Sequence, residues 1–142
     1  MDLQNYTQKS AQALNRAGQV AKEHSNNALA PEHILYALVE AEEGLIPSIL
    51  TKEGINCDYL KKDIENAIQS LPRIGAGGSM QLYLAPESEK VLEDAEKKAR
   101  ASKDDFVSVE HLMLAMLDNP TKALKELFRR HGINKQNFEA VL

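Results

Sequence analysis

Two glutamate–histidine pairs are the residues of this sequence best suited to chemistry. Glu32 precedes His33, and Glu110 precedes His111. Such side chains could bind a metal ion, but a zinc motif on one helix places two ligands four residues apart, and that spacing is absent here. Each pair instead suits the first turn of a helix, where glutamate favours the helix dipole and histidine packs or hydrogen-bonds. We therefore expect no metal site.

Other reactive side chains do not form a recognisable catalytic set. Cys57 is the only cysteine, and no histidine lies near it in sequence. Gly75, Gly77 and Gly78 are not followed by the Lys-Ser/Thr pair of a phosphate-binding loop, and no strand is predicted before them. The sequence therefore predicts a non-catalytic chain that binds no nucleotide or other cofactor.

Composition and charge exclude several classes of partner. The 142 residues are 43% hydrophobic and 27% charged, with a formal net charge of −4, and no Lys/Arg cluster is longer than a short pair. A nucleic-acid-binding surface needs a basic stripe, so we expect no nucleic acid partner. There is no apolar run approaching about 18 residues, so no membrane span is predicted. A lone cysteine cannot form an internal disulfide, which fits a reducing, cytoplasmic location.

The chain contains an internal repeat with an offset of 78 residues. This offset brings the two Glu-His pairs together, and it also brings Gly54-Ile55-Asn56 onto Gly132-Ile133-Asn134. No insertion is needed when residues 7–64 are aligned with residues 85–142. A three-residue match in register with the Glu-His match is hard to obtain by chance. The sequence therefore predicts two copies of one structural unit.

Each unit is predicted to contain four helices. Thr7 is placed to cap the first helix of unit one, and Asn119-Pro120 to open the third helix of unit two. The second helix of each unit is apolar almost all round, so these two helices should form the centre of the domain. The first helix of the two units is predicted at about 7–24 and 86–102, and the second begins at Pro31 and Val109. The third is predicted at about 45–52 and 121–131, and the fourth begins after Asn56 and Asn134.

The predicted fold is all-α, with two tandem four-helix repeats related by a pseudo-twofold axis. The chain is divided into repeat one (7–70), a linker (71–84) and repeat two (85–142), all within one domain. The linker is rich in glycine and should be flexible, whereas Met80 to Leu84 alternates apolar and polar residues and should lie extended. Leu142 aligns with Ile64, in mid-helix, so we expect the chain to be part of a longer protein.

The two central segments resemble a known family. They read Pro-Glu-His-Ile-Leu-Tyr-Ala-Leu and Val-Glu-His-Leu-Met-Leu-Ala-Met, and two such copies resemble the amino-terminal domain of Clp ATPases. Leu71-Pro72, followed by the glycine-rich stretch 75–78, resembles the inter-repeat linker of the ClpB branch. The resemblance covers essentially the whole chain.

The resemblance implies a binding function. Proteins of the ClpB branch are hexameric AAA+ chaperones of the stress response that use ATP and magnesium to extract polypeptides from aggregates. Their ATPase domains would lie beyond residue 142. The amino-terminal domain receives unfolded or aggregated polypeptide, and the family's functional residues match Thr7, Asp104 and Glu110. Asp105 stands beside Asp104, so the aspartate could be either one.

The ClpC and ClpA branches of protease-linked unfoldases offer an alternative. Their domain resembles this one and receives adaptor proteins or, in ClpC, phosphoarginine-tagged proteins, through a threonine and a glutamate in each repeat. Repeat one retains both as Thr7 and Glu32, but repeat two has Ala85 in place of the threonine beside Glu110. Alanine cannot donate a hydrogen bond to a phosphate, which weakens the phosphoarginine interpretation.

On either interpretation the chain binds polypeptide and is not an enzyme. We expect an apolar groove edged by polar groups, near the junction of the two units.

Overall fold

The computed structural model describes residues 2–74 and 81–142. It confirms the predicted all-α class, and its helices follow the predicted order in both units. In chain order the helices are α1 (Gln8–Glu23), α2 (Pro31–Glu40), α3 (Leu45–Lys52), α4 (Cys57–Gln69), α5 (Pro86–Ala101), α6 (Val109–Asp118), α7 (Lys122–His131) and α8 (Lys135–Val141).

Two short strands connect the units. β1 (Ala28–Leu29) precedes α2, and β2 (Tyr83–Leu84) precedes α5; they pair in parallel. The extended segment predicted before α5 is therefore present at β2, although its first residue, Met80, lies outside the described residues. The predicted flexible stretch at residues 75–78 also lies outside them.

Local sequence signals account for most of the helix ends. Thr7 Oγ1 accepts a hydrogen bond from the backbone N–H of Ser10 at 3.1 Å, so Thr7 caps α1 as predicted. Asn56 caps α4 in the same way. Gly54 and Gly132 have φ angles of +84° and +68°, the left-handed conformation that glycine adopts without steric cost after a helix.

The predicted cap of α7 is wrong, although the predicted range of about 121–131 agrees with the helix observed at Lys122–His131. Asn119 does not cap this helix, because its side-chain amide donates to Ala115 O and to Asp94 Oδ2, both at 2.9 Å, and thereby closes the end of α6. Thr121 takes the cap instead and accepts from Leu124 N at 3.2 Å. The helix consequently begins at Lys122, two residues after the proline.

The core lies around α2 and α6, as the apolar sequences predicted. Leu38 on α2 and Met116 on α6 are both buried, at 2% and 0% exposure. Within the units α1 packs on α2 and α5 packs on α6, while α2 contacts α6 directly. The contacts across the units come in equivalent pairs. α3 contacts α6 and α8 of unit two, and its equivalent α7 contacts α2 and α4 of unit one. This reciprocal packing is the pseudo-twofold relationship that the repeat predicted.

Candidate functional site

Three of the four residues predicted from the sequence, Thr7, Asp104 and Glu110, gather where the start of unit one meets unit two. Thr7 N donates to Val107 O at 2.9 Å, and Val107 N donates to Asn5 O at 2.8 Å. These bonds make a parallel bridge between Tyr6 and Val107. Thr7 is thus held against the loop that leads into α6. We call this region the Thr7 junction; it consists of Thr7, Ser10, Asp104, Val107, Ser108, Glu110 and His111.

Ser10 is the buried residue that fastens this junction. Its hydroxyl donates to Val107 O at 2.6 Å, and the hydroxyl of Thr7 donates to Ser10 Oγ at 2.9 Å. Ser10 itself has no exposed surface, whereas Thr7 is half-buried. The Thr7 hydroxyl therefore lies at the outer end of a short chain of hydrogen bonds that runs into the protein.

Asp104 and Glu110 lie on the other side of the junction. Asp104 Oδ2 is 3.1 Å from His111 Nε2, and His111 Nδ1 accepts from Ser108 N at 3.0 Å. Because Nδ1 is an acceptor, the neutral ring carries its proton on Nε2 and donates it to the carboxylate. Glu110 contacts the hydroxyl of Ser108. Of the two adjacent aspartates, it is Asp104 that faces this histidine.

The same arrangement occurs at the position related to the Thr7 junction by the pseudo-twofold axis. His33 Nδ1 accepts from Ala30 N at 2.9 Å, and His33 Nε2 is 2.9 Å from Asn26 Oδ1. Ser88 Oγ donates to Leu29 O at 2.7 Å, as Ser10 does to Val107 O. We call this region the Ala85 junction. Ala85 N donates to Leu29 O at 3.1 Å, just as Thr7 N donates to Val107 O. Both histidines therefore serve to close the first turn of a central helix.

Glu32 belongs to the Ala85 junction and is not brought together with the other three predicted residues. It lies in the first turn of α2, as Glu110 lies in the first turn of α6, but it is only 5% exposed. Burial raises the pKa of the Glu32 carboxyl, and the nearby charge of Glu87 raises it further. The two Glu-His pairs thus occupy equivalent positions with different access to solvent.

An apolar groove adjoins the Thr7 junction. Its volume is about 470 Å³, and it lies between α1 and the α2–α3 loop, with Val109 of unit two at one side. Leu45 is 42% exposed there, although leucine is usually buried. We call it the α1–α3 groove. Its apolar residues are Ala13, Ala37, Leu38, Ala41, Leu45, Ile46 and Val109, and its polar rim consists of Lys9, Gln12, Arg16, Glu40, Glu42 and Glu43.

Two other surface depressions are smaller. One of about 310 Å³ lies where α1 meets the two strands, with Leu14, Gly18 and Leu82 among its lining residues. The other, of about 350 Å³, lies in unit two and is the repeat equivalent of the α1–α3 groove. Polar residues dominate it: Glu87, Lys90, Asp118, Asn119 and Thr121, together with Pro120. The larger groove therefore has no apolar counterpart in the second unit.

No three metal-binding side chains come together within residues 2–74 and 81–142. The Cys57 thiol faces Pro47 O and the Thr51 hydroxyl, at 3.9 Å and 3.8 Å. None of the helices in the described part of the chain is long and apolar enough to cross a bilayer.

Several residues of this site were not predicted to be functional. In the sequence, Ser10 is marked only by its alignment with Ser88 at the repeat offset, and Asn26 only by its alignment with Asp104. The groove residues Glu42, Glu43 and Leu45 read as an ordinary loop and helix start. Their shared position beside α1 depends on how α3 packs, which no local pattern in the sequence contains.

Comparisons with known proteins point to one family. Residues 5–131 match the model of the Clp repeat (R) N-terminal domain. A ClpB chaperone of Clostridium perfringens is 36% identical over 145 residues; the match covers 100% of this chain and 17% of the length of that relative. The Hsp104 N-terminal domain from Candida albicans has a similar structure, with a TM-score of 0.84 and 19% identity over 97% of this chain and 89% of that one. The fold is also shared by the ClpV N-domain solved with a VipB peptide, with a TM-score of 0.72 and 20% identity over 94% and 81% of the two chains.

Proposed function

The chain belongs to the Clp repeat N-terminal domain family, and we propose that it binds unfolded segments of polypeptide. The observation that carries this proposal is the α1–α3 groove, in which an apolar floor and a polar rim lie beside the Thr7 junction. A site of this kind can bind apolar side chains without reading a strict sequence motif. The peptide bound to the ClpV N-domain shows that another protein of this fold holds a polypeptide segment.

The groove and the Thr7 junction are close enough to act as one site. Val109 lines the groove, and Glu110 follows it in the first turn of α6. Lys9 lies on the rim, in the first turn of the helix that Thr7 caps. In this proposal the groove takes apolar side chains, while Thr7, Asp104 and Glu110 hydrogen-bond the peptide backbone.

The Ala85 junction indicates that Thr7 and Asp104 are not needed for the fold alone. Ala85 has no hydroxyl, yet Ser88 still bonds Leu29 O at 2.7 Å. An amide, Asn26, holds His33 where a carboxylate holds His111. The equivalent junction therefore forms without a hydroxyl at the position of Thr7 and without a charge at the position of Asp104. This supports a role of these two groups in binding.

The rest of the proposal concerns the longer protein. The chain spans 17% of the length of its ClpB relative. We propose that ATPase domains beyond residue 142 bind ATP and magnesium, assemble as a homohexamer and extract aggregated polypeptides in the cytoplasm during stress. This chain would then be the substrate-receiving domain of an ATP-dependent disaggregase.

Docking of adaptors or phosphoarginine, as in ClpC and ClpA, is less well supported. A paired phosphoarginine site needs both junctions, but Ala85 offers no hydroxyl to a phosphate and Glu32 is only 5% exposed. The two junctions are therefore unequal in both donor chemistry and access.

The test is binding of a permanently unfolded protein, reduced and carboxymethylated α-lactalbumin, followed by fluorescence anisotropy. We expect weak, saturable binding that falls at least fivefold in Leu45→Ser, because this exposed side chain contributes apolar surface to the groove, at about 25 cal/mol per Å² buried. Tyr59→Ser is the matched control, since Tyr59 is 65% exposed and does not line the groove. Equal losses in both variants, or no binding by the parent chain, would contradict the proposal.

A further inference from the structure

We propose that the α1–α3 groove selects its segment by charge, and that it binds apolar segments carrying lysine or arginine in preference to otherwise identical segments carrying glutamate or aspartate. This inference rests on the proposed function, because it names the chemical class of polypeptide that the groove accepts. Two carboxylates on the rim, Glu42 and Glu43, carry it.

One of the two cations of the rim, Arg16, is neutralised by its own carboxylate partners. Arg16 bonds both carboxylate oxygens of Glu40, with Nε at 2.8 Å and Nη2 at 3.0 Å, and its Nη1 is 3.2 Å from Glu23. These bonds hold the pKa of Glu40 below its usual value and that of Arg16 above it. Arg16 therefore brings its own counter-ions and contributes little net positive charge to the groove.

The acids of the α2–α3 loop are not neutralised in this way. Glu42 and Glu43 are both exposed, and neither has an ion pair among residues 2–74 and 81–142. Lys9 is the other cation of the rim. With Arg16 compensated by Glu40 and Glu23, the rim keeps one positive and two negative charges, and both negative charges lie on the loop.

The backbone of the loop is tightly turned where it carries these two residues. Gly44 N donates to Ala41 O at 3.0 Å and closes a tight turn. A side chain at Gly44 would bring its Cβ within 2.9 Å of that same carbonyl. Glu43 has a φ of +60°, a conformation that costs energy for a residue with a side chain. The loop thus keeps glutamate in a strained position at the groove entrance.

The second unit shows that the fold does not require this loop. Pro120 and Thr121 occupy the repeat positions of Glu42 and Glu43, and Thr121 has a φ of −68°. Asp118, the equivalent of Glu40, is 3.1 Å from Lys135 and also contacts Lys98. Apolar floor and uncompensated acids therefore coincide in unit one, which identifies the occupant as a cationic, apolar segment.

The experiment uses two labelled 20-residue peptides with the same apolar residues, one with four lysines and one with four glutamates. Fluorescence anisotropy at low and at physiological salt gives their affinities for this chain. We expect the lysine peptide to bind about three- to tenfold more tightly at low salt, with a smaller ratio at higher salt, because exposed charge pairs are individually weak and screened.

Glu42→Gln/Glu43→Gln should bring the two affinities within about twofold of each other. Glu89→Gln/Glu93→Gln is the matched control, since it changes the net charge equally at two exposed residues of α5. This control should keep the preference. Equal affinities in the parent chain, or the same loss in both double variants, would overturn charge selection. Leu45→Ser separates the two proposals: if both peptides bind equally and Leu45→Ser weakens both, only this inference fails, and if neither peptide binds, both fail.

Discussion

Asp104 occupies in unit two the position that Asn26 occupies in unit one. Asp104 Oδ2 is 3.1 Å from Nε2 of His111, and Asn26 Oδ1 is 2.9 Å from Nε2 of His33. The residues just before them, Lys103 and Ser25, share a left-handed φ of +60° and +58°. A carboxylate and an amide therefore accept from equivalent histidine nitrogens, although the Asn26 amide also donates to Pro72 O at 3.0 Å. The Asn26–His33 pair is thus an internal control for the substitution Asp104→Asn.

Asp104→Asn should preserve the free energy of unfolding within about 0.5 kcal/mol, because the amide oxygen can accept the same hydrogen bond. Asp104→Ala should lose about 1 kcal/mol, since it removes the acceptor. Urea melts measure both. If Asp104→Asn melts normally yet binds carboxymethylated α-lactalbumin less well, the charge acts in binding. Unchanged binding by a normally melting Asp104→Asn would remove Asp104 from the proposed site.

Ser10→Ala and Ser88→Ala should lower the free energy of unfolding by similar amounts, about 1 kcal/mol each. Each substitution removes a buried hydroxyl that donates to a carbonyl of the other unit, Val107 or Leu29. Chemical denaturation of the two variants side by side is the measurement. A large effect for one serine and none for the other would contradict the pseudo-twofold equivalence of the junctions.

Thr7→Ala should cost about 1 kcal/mol through loss of the α1 cap. The folded domain should nevertheless form, because α5 forms with Ala85 at its N-cap position, where no side chain caps the helix. Melting and anisotropy on the same sample distinguish a cap from a binding residue. A variant that is less stable but binds as tightly as the parent would show that Thr7 is only a cap.

Stability should fall as the solution is acidified from about pH 7 to about pH 4, in part because of His33. Burial lowers its pKa to about 4, whereas an unfolded histidine titrates near 6.5. Between these values the unfolded chain binds the proton and the folded chain does not, so His33 contributes stability above about pH 6.5 that is lost toward pH 4.

The variant His33→Gln should therefore show a shallower fall in stability between pH 6.5 and pH 4. His24→Gln is the comparison: it removes only the second, smaller cause of the lowered His33 pKa and leaves the burial of His33 in place, so it should keep most of the slope. Denaturant midpoints across this range give the slopes. An unchanged slope in His33→Gln would contradict the assignment.

Leu38→Ala and Met116→Ala should each lower the free energy of unfolding by about 2–5 kcal/mol, because each leaves a cavity in the shared core. Leu114 lies on α6 but is only partly buried, so Leu114→Ala should cost less. A loss under half a kilocalorie per mole at Leu38 or Met116 in urea melts would show that the core is elsewhere.

The sequence by itself determined the fold class and the positions of most helices. Apolar periodicity depends on burial along one element, and caps such as Thr7 and Asn56 act within one helical turn, so both can be read from neighbouring residues. The predicted cap at Asn119 failed because its amide donates to Asp94 on another helix, and neighbouring residues in the sequence do not reveal that contact. A contact between residues 25 positions apart outweighed the local preference.

The repeat offset also indicated which residues are equivalent, but not what they contact. It matched Ser10 to Ser88, yet the carbonyls of Val107 and Leu29 that they bond lie in the opposite unit. Those bonds exist only because the leading segment of each unit crosses to the other. The tertiary structure alone decided that Thr7, Asp104 and Glu110 share one junction, while Glu32 is buried at the second.

The groove was likewise decided by tertiary structure. The sequence predicted an apolar groove edged by polar groups, since helical units that pack together leave concave seams. It did not identify which residues would line it. Leu45 is exposed and Leu38 buried, although both are leucines at helical positions that line the same groove. Exposure depends on what the rest of the chain places over a residue, and that arises only when the two units pack.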